Sequence, residues 1–238
     1  MSASAIWVYL AASPLLGLTL TLVAYLAASR IHQRCGGHPL ANPVLLAVAT
    51  LVGLLWLTDT PYRTYFDGAQ FVHFLLGPAT VALAIPLHAQ LPRLRRMALP
   101  LLLALLIGSL TAALSAVAIG ALLGASRATL LSLAPKSVTT PIAMGIAERI
   151  GGLPSLTAVL VILTGVLGAI LARYIYRALH IDDDAQRGFA LGIAAHGIGT
   201  ARAFQESEQM GAFAALAMGL NGLLTALLLP IVMPFVLG

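Results

Sequence analysis

Charge is the scarcest property of this sequence. Only 9% of its 238 residues are charged, against 60% hydrophobic, and the mean hydropathy is +0.97. A water-facing surface cannot be built from that balance over such a length. Cysteine is nearly absent as well. Cys35 stands alone, which excludes an internal disulfide framework and a thiolate metal cluster. His-Glu-x-x-His, Gly-x-Ser-x-Gly and Gly-x-Gly-x-x-Gly are all missing, so no motif supports a zinc peptidase, a serine hydrolase or a dinucleotide enzyme. A Ser137–Lys136 dyad is the remaining catalytic option, and adjacent residues at a helix start point apart. The chain is read as a non-enzyme. It also lacks Ser/Pro-rich linkers and low-complexity tracts, which predicts one membrane domain over 1–238, with a first helix in 1–30 and a core in 39–238.

Long apolar runs take the place of what is missing. Windows free of charge and histidine extend from Met1 to Ala28, Pro39 to Thr58, Met97 to Ser126, Ile150 to Ala172 and Gln209 to Gly238. Each reaches the roughly 20 residues that a membrane-crossing helix needs. The first charge is Arg30, after an apolar run too long for a cleavable signal, so the first segment is expected to stay as a helix. The net charge of +5 comes from arginines scattered through short loops, a pattern of topogenesis and not of nucleic-acid binding. Arg30 and Arg34, and likewise Arg93, Arg95 and Arg96, place their loops in the cytoplasm and the N-terminus outside.

Three further stretches, Ala69 to Gln90, Arg127 to Arg149 and Ala185 to Glu206, are apolar but interrupted near their middle. The interruptions are Leu76-Gly77-Pro78-Ala79-Thr80, Leu133-Ala134-Pro135-Lys136-Ser137 and His196-Gly197-Ile198-Gly199-Thr200. Proline removes a backbone donor and glycine loosens the turn, so each stretch is expected to be a discontinuous helix. The predicted fold is an all-α polytopic membrane protein of about eight spans, three of them broken. The likeness of Leu76–Val81 to Leu133–Val138 suggests an internal repeat. If the stretch around Lys136 turns back instead of crossing, Arg173 and Arg177 return to the cytoplasmic side.

Unwound backbone at membrane depth requires protein or a water-filled cavity to satisfy it, and free N–H groups at half-helix starts attract anions. Thr80, Ser137 and Thr200 fall where N-cap hydroxyls would sit. Lys136 is the chain's only lysine, and it either meets an anion at a helix start or snorkels to the interface. Arg202 either binds a carboxylate or pairs with Glu206 one turn later. His196 either carries a coupling proton or bonds neighbouring backbone. Asn221 either contacts substrate or joins helices, the second being preferred. Gly120 with Gly124 and Gly188 with Gly192 are read as packing pairs. The Asp182-Asp183-Asp184 run is read as a solvated helix start and not as a metal site.

The segment from Leu76, Pro-Lys-Ser-Val-Thr-Thr-Pro-Ile-Ala from Pro135, Gly151-Gly152 and His-Gly-Ile-Gly-Thr-Ala-Arg-Ala from His196 resemble the LrgB/CidB family of bacterial membrane proteins. The resemblance runs from about Asn42-Pro43 to the C-terminus. The family is also similar to the membrane half of the plastidial glycolate/glycerate translocator. The resemblance implies carriage of short monocarboxylates such as glycolate, glycerate, pyruvate or lactate. It equally implies an antiholin-like or holin-like role in murein hydrolase control and autolysis, beside a smaller LrgA/CidA-type membrane partner. Carried over residue by residue, it puts function on Pro78, Thr80, Pro135, Lys136, Ser137, His196, Gly199, Thr200 and Arg202. The expectation is an alternating-access carrier in the bacterial inner membrane, forming a homodimer. Coupling is assigned to a proton, with sodium as the alternative, through His196 and Glu206, and no metal or cofactor is implied.

Overall fold

The computed structural model describes residues 14–38 and 41–237, so the first part of the Met1–Ala28 window lies outside the described residues. All elements among them are helices. The chain divides into two compact units, Met1–Ala82 and Leu83–Gly238.

In the first unit, α1 (Pro14–Arg34) packs against both α2 (Pro43–Leu57) and α3 (Tyr62–Phe74). Asn42 caps α2 by accepting from the Val44 and Leu45 amides at 2.9 and 3.2 Å, with Pro43 at the position where a missing N–H costs nothing. The hydroxyls of Thr21 and Tyr65 share a 2.7 Å hydrogen bond where α1 meets α3. At 15 residues α2 is shorter than the crossing expected for Pro39 to Thr58, whose first two positions are not among the described residues. The first expected interruption lies earlier than the Gly-Pro pair suggests. α3 ends at Phe74 and α4 runs Leu76–Ala82. Proline is tolerated in a first helical turn, so Gly77 and Pro78 begin a helix instead of interrupting one. Thr80 thus lies within α4 and not at its cap, and its side chain is outside the described set.

The second unit opens with the short α5 (Ala84–Ala89) and α6 (Leu91–Arg96). Three long apolar helices frame it: α7 (Ala98–Leu122), α10 (Pro154–Ala178) and α12 (Glu208–Leu237). Together with α1 these are the four helices among the described residues long and apolar enough to cross a membrane, or five spans if one bent helix pair counts as a single crossing, which does not reach the eight expected. Two of the expected crossings are missing because the second and third interrupted stretches turn back on themselves.

α11 (Asp184–Glu206) leaves helical geometry at Ala195 (φ −127°, ψ 15°) and His196 (φ 42°, ψ −134°). The positive φ at a non-glycine residue reverses the chain. Before the reversal α11 runs parallel to α12. A Cβ on Gly188 would collide with the Met210 carbonyl, and one on Gly192 with that of Ala214, so the glycine pair sets how closely the two helices approach, as its spacing implies. After the reversal it runs back, with Gly199 against Leu191 and Phe204 against Gly211. α11 is therefore a helical hairpin whose two ends meet.

The stretch around Lys136 makes a second hairpin from α8 (Arg127–Leu133) and α9 (Thr140–Ile150). Arg127 reaches the carbonyl of Leu237 at the end of α12. The tip, residues 134–139, approaches Asn221 in the middle of that helix. From there α9 runs back along α12, with Ile142 facing Gly222 and Ile146 in one cluster with Leu229 and Met233. The two hairpins enter from opposite ends of α12. Each follows a 25-residue helix, α7 or α10, so helix plus hairpin is a unit that occurs twice with inverted direction.

Candidate binding site between the hairpin tips

Asn221 sits at the junction and is 1% exposed. Its amide donates to the Ser137 carbonyl at 3.2 Å and to the Ile193 carbonyl at 3.1 Å, one from each hairpin. Its Oδ1 accepts from the hydroxyls of Ser109 on α7 and Thr225 on α12, the latter at 3.3 Å. Two donors and two acceptor sites exhaust an asparagine side chain. In this structure Asn221 thus joins helices and positions the tips. Ser109 was not singled out from the sequence because nothing distinguishes it from Thr111 and Ser115 in the same long apolar helix.

Around this hub the first tip is a tight turn, in which the Lys136 amide donates to the Leu133 carbonyl (3.1 Å) and that of Val138 to Pro135 (3.2 Å). Pro135 and Val138 are fully buried. Ser132 locks the α8 side of the turn by accepting from the Leu153 amide at 2.7 Å. Lys136 is half-buried and donates from Nζ to Ser137 Oγ at 3.2 Å. It forms no ion pair among the described residues.

At the second tip His196 donates from Nε2 to the Val161 carbonyl of α10 at 2.9 Å. Gly165, one turn on, gives the ring its room, since a Cβ there would lie 2.7 Å from Cε1. His196 therefore takes the backbone-bonding alternative in this structure. Thr200 donates back to the His196 carbonyl at 2.8 Å, so its hydroxyl closes the reversal and does not cap a helix start. Gly199 is buried against Ala195 and Leu191, which lets the two halves touch.

Lys136, Ser137, Pro135, His196, Gly199, Thr200 and Asn221 thus belong to one neighbourhood of two tips on α12. Arg202 and Glu206 do not. They lie towards the mouth of the second hairpin, where Arg202 pairs with Glu206 and donates to Gln205 at 3.1 Å. Both line a separate cavity of about 620 Å³. Pro78 and Thr80 lie on α4 of the first unit, and Pro78 is exposed there.

The Asp182–Asp184 run starts α11, as read from the sequence. Asp183 caps it by accepting from the Gln186 amide at 3.0 Å and pairs with Arg93, while Asp182 meets Arg187 at 3.2 Å. Partial burial pushes the Asp183 carboxyl up. The Gln186 amide and the hydrogen bond and charge of Arg93 outweigh that and hold it below the usual carboxylate value.

The LrgB-like family model matches residues 21–235. YwbG of Bacillus subtilis is 39% identical over 93% of this chain and 98% of its own length. YxaC of the same organism is 34% identical over 90% and 93%. The antiholin-like protein LrgB of Bacillus cereus is 29% identical over 94% and 97%. No solved structure matches. With a family match over nearly its whole length and full-length relatives above 30% identity, the chain belongs to the LrgB-like family.

Proposed function

We propose that the protein is a membrane carrier of small organic anions, of the short-chain monocarboxylate class, with its substrate site at the two hairpin tips. One observation carries this reading: two hairpins that enter from opposite ends meet at Asn221, with a lysine at one tip that has no carboxylate partner among the described residues. Inverted repeats with non-helical backbone at mid-depth are the architecture of alternating-access carriers. Irregular backbone survives there only against protein or a cavity. Lys136 neutralises the carboxylate, and Ser137 reads an α-oxygen. His196 takes up the coupling proton at Nδ1 while its Nε2–H stays on the Val161 carbonyl, with sodium as the other coupling ion to test.

The end that carries Arg93, Arg95, Arg96, Arg173 and Arg177 faces the cytoplasm in this reading. Positive loops stay on that side, and the ion pair of Arg93 with Asp183 keeps the two arginine-rich ends together. The inner membrane of a bacterium and a homodimer packed through the long helices remain parts of the proposal.

A second reading, an antiholin-like regulator of autolysis acting beside a smaller membrane partner, has its own support. The Bacillus cereus relative, 29% identical over 94% of this chain, is named antiholin-like. Reconstitution separates the two. Purified protein in liposomes should give saturable, stereoselective uptake of glycolate, glycerate, pyruvate or lactate. Release of unrelated solutes of similar size, without saturation, would favour a pore. A protein that moves neither but alters murein hydrolase activity in cells would favour regulation.

A further inference from the structure

The cavity at the mouth of the second hairpin is not used by the proposal above. It is framed by four arginines: Arg173 and Arg177 from α10, and Arg187 and Arg202 from the two halves of α11. Two of them are neutralised within the chain. Arg187 meets Asp182 at 3.2 Å and Asp184 at 4.0 Å, and Arg202 meets Glu206. Arg173 and Arg177, one helical turn apart, form no ion pair among the described residues. The cavity therefore presents two uncompensated guanidinium forks to whatever enters.

We infer that this cavity binds the phosphate of an anionic phospholipid headgroup. Three features favour that occupant. First, two guanidiniums suit a phosphate, which accepts forked hydrogen bonds on several oxygens, better than a monocarboxylate, which needs one fork. Second, the depth fits. α10 has 25 residues and rises about 1.5 Å per residue, so it outlasts the roughly 30 Å hydrocarbon core by about a turn. Arg173 and Arg177 stand at its end, level with headgroups, and Tyr174 beside them is exposed as interfacial tyrosines are. Third, the volume of about 620 Å³ far exceeds a small anion, and Ala169, Ala172, Leu191 and Met210 add an apolar wall for glycerol and the first acyl carbons. A lipid seated there touches α10 and both halves of α11 at once. It braces the hairpin mouth, whether or not the tips carry a substrate.

Detergent-solubilised protein is titrated with phosphatidylglycerol, with phosphatidylcholine and with inorganic phosphate, and melting temperature is followed. Phosphatidylglycerol should raise it in a saturable way, more than phosphatidylcholine does. Arg173→Gln/Arg177→Gln should need at least tenfold more phosphatidylglycerol for the same shift, while Arg95→Gln/Arg96→Gln, which loses the same charge elsewhere, should respond as the native protein does. If the double variant does not purify as a monodisperse species, Arg177→Lys is titrated instead, which keeps the charge and loses the fork. An equal response of native and variant protein would overturn the site. A shift produced by millimolar inorganic phosphate alone, and lost in the variant, would overturn the lipid and leave a soluble phosphate in its place.

Discussion

The hydroxyl of Ser207 donates to the carboxylate of Asp184 at 2.6 Å, although 23 positions separate the two residues. A continuous helix of that length would hold them more than 30 Å apart. The bond closes the mouth of the second hairpin, and Ser207 also accepts from the Met210 amide at 3.0 Å to start α12. Ser207→Ala should therefore loosen the hairpin locally, by about 0.5–2 kcal/mol, since it removes one hydrogen bond to a partly exposed carboxylate that still faces Arg187, and also the cap of α12. Amide hydrogen exchange should rise across residues 184–206 and stay unchanged at the first hairpin. Uniform exchange throughout the second unit would contradict a local latch.

Asn221 should be the most sensitive polar position in the protein. Asn221→Leu keeps the branched shape but is larger, so it crowds a buried site as well as abandoning two buried carbonyls, at about 1–3 kcal/mol each. The expected result is a melting temperature lower by several degrees, together with loss of any transport. Asn221→Asp retains the acceptor for Ser109 and Thr225 but removes both donors, and it should be no better. A variant as stable as the native protein would mean that the tips are held by something other than this amide.

Lys136→Gln should leave insertion and melting temperature nearly unchanged, because Lys136 makes one hydrogen bond in the fold, to the uncharged hydroxyl of Ser137, and no ion pair among the described residues. It should weaken carboxylate binding roughly ten- to a hundredfold, the equivalent of a charge-assisted contact of about 1.5–3 kcal/mol. Substrate-induced stabilisation should disappear with it. Undiminished flux would move the anion site away from the first tip.

Asp183 supplies a pH dependence with a definite sign. Its folded carboxyl lies below the unfolded value of about 3.8, so the stabilisation is complete above that value and is lost as pH falls through the lower, folded one. Stability measured from pH 5 downward should fall less steeply in Asp183→Asn than in the native protein. The effect should be small and salt-sensitive, since the pair with Arg93 is partly exposed.

The breaks at Lys136 and His196 were visible in the sequence because proline, glycine and a lone lysine in apolar surroundings each violate a helix rule locally, whereas Gly77 and Pro78 begin α4 and interrupt nothing. What they lead to was not. A Pro-Lys-Ser turn in a broken crossing reads the same as one at a hairpin tip, since the difference lies in which distant residues it meets. Arg173 and Arg177 held the missing information, because their conflict with eight crossings disappears once the Lys136 stretch turns back. The pairing of Arg202 with Glu206 was available from their spacing alone. The separation of that pair from the tips was not, because it depends on the reversal at His196, where no glycine or proline marks the residue itself.

The position of Asn221 also bears on how the protein is made. Both tips precede it in the chain, so each hairpin leaves the ribosome before the side chain that will hold its carbonyl exists. Until α12 is synthesised, the tips must wait on water or on the insertion machinery, in a membrane where unpaired backbone is costly. The last helix is thus the keystone of assembly, and a nascent chain stalled before it presents two unsecured hairpins that cellular quality control can recognise.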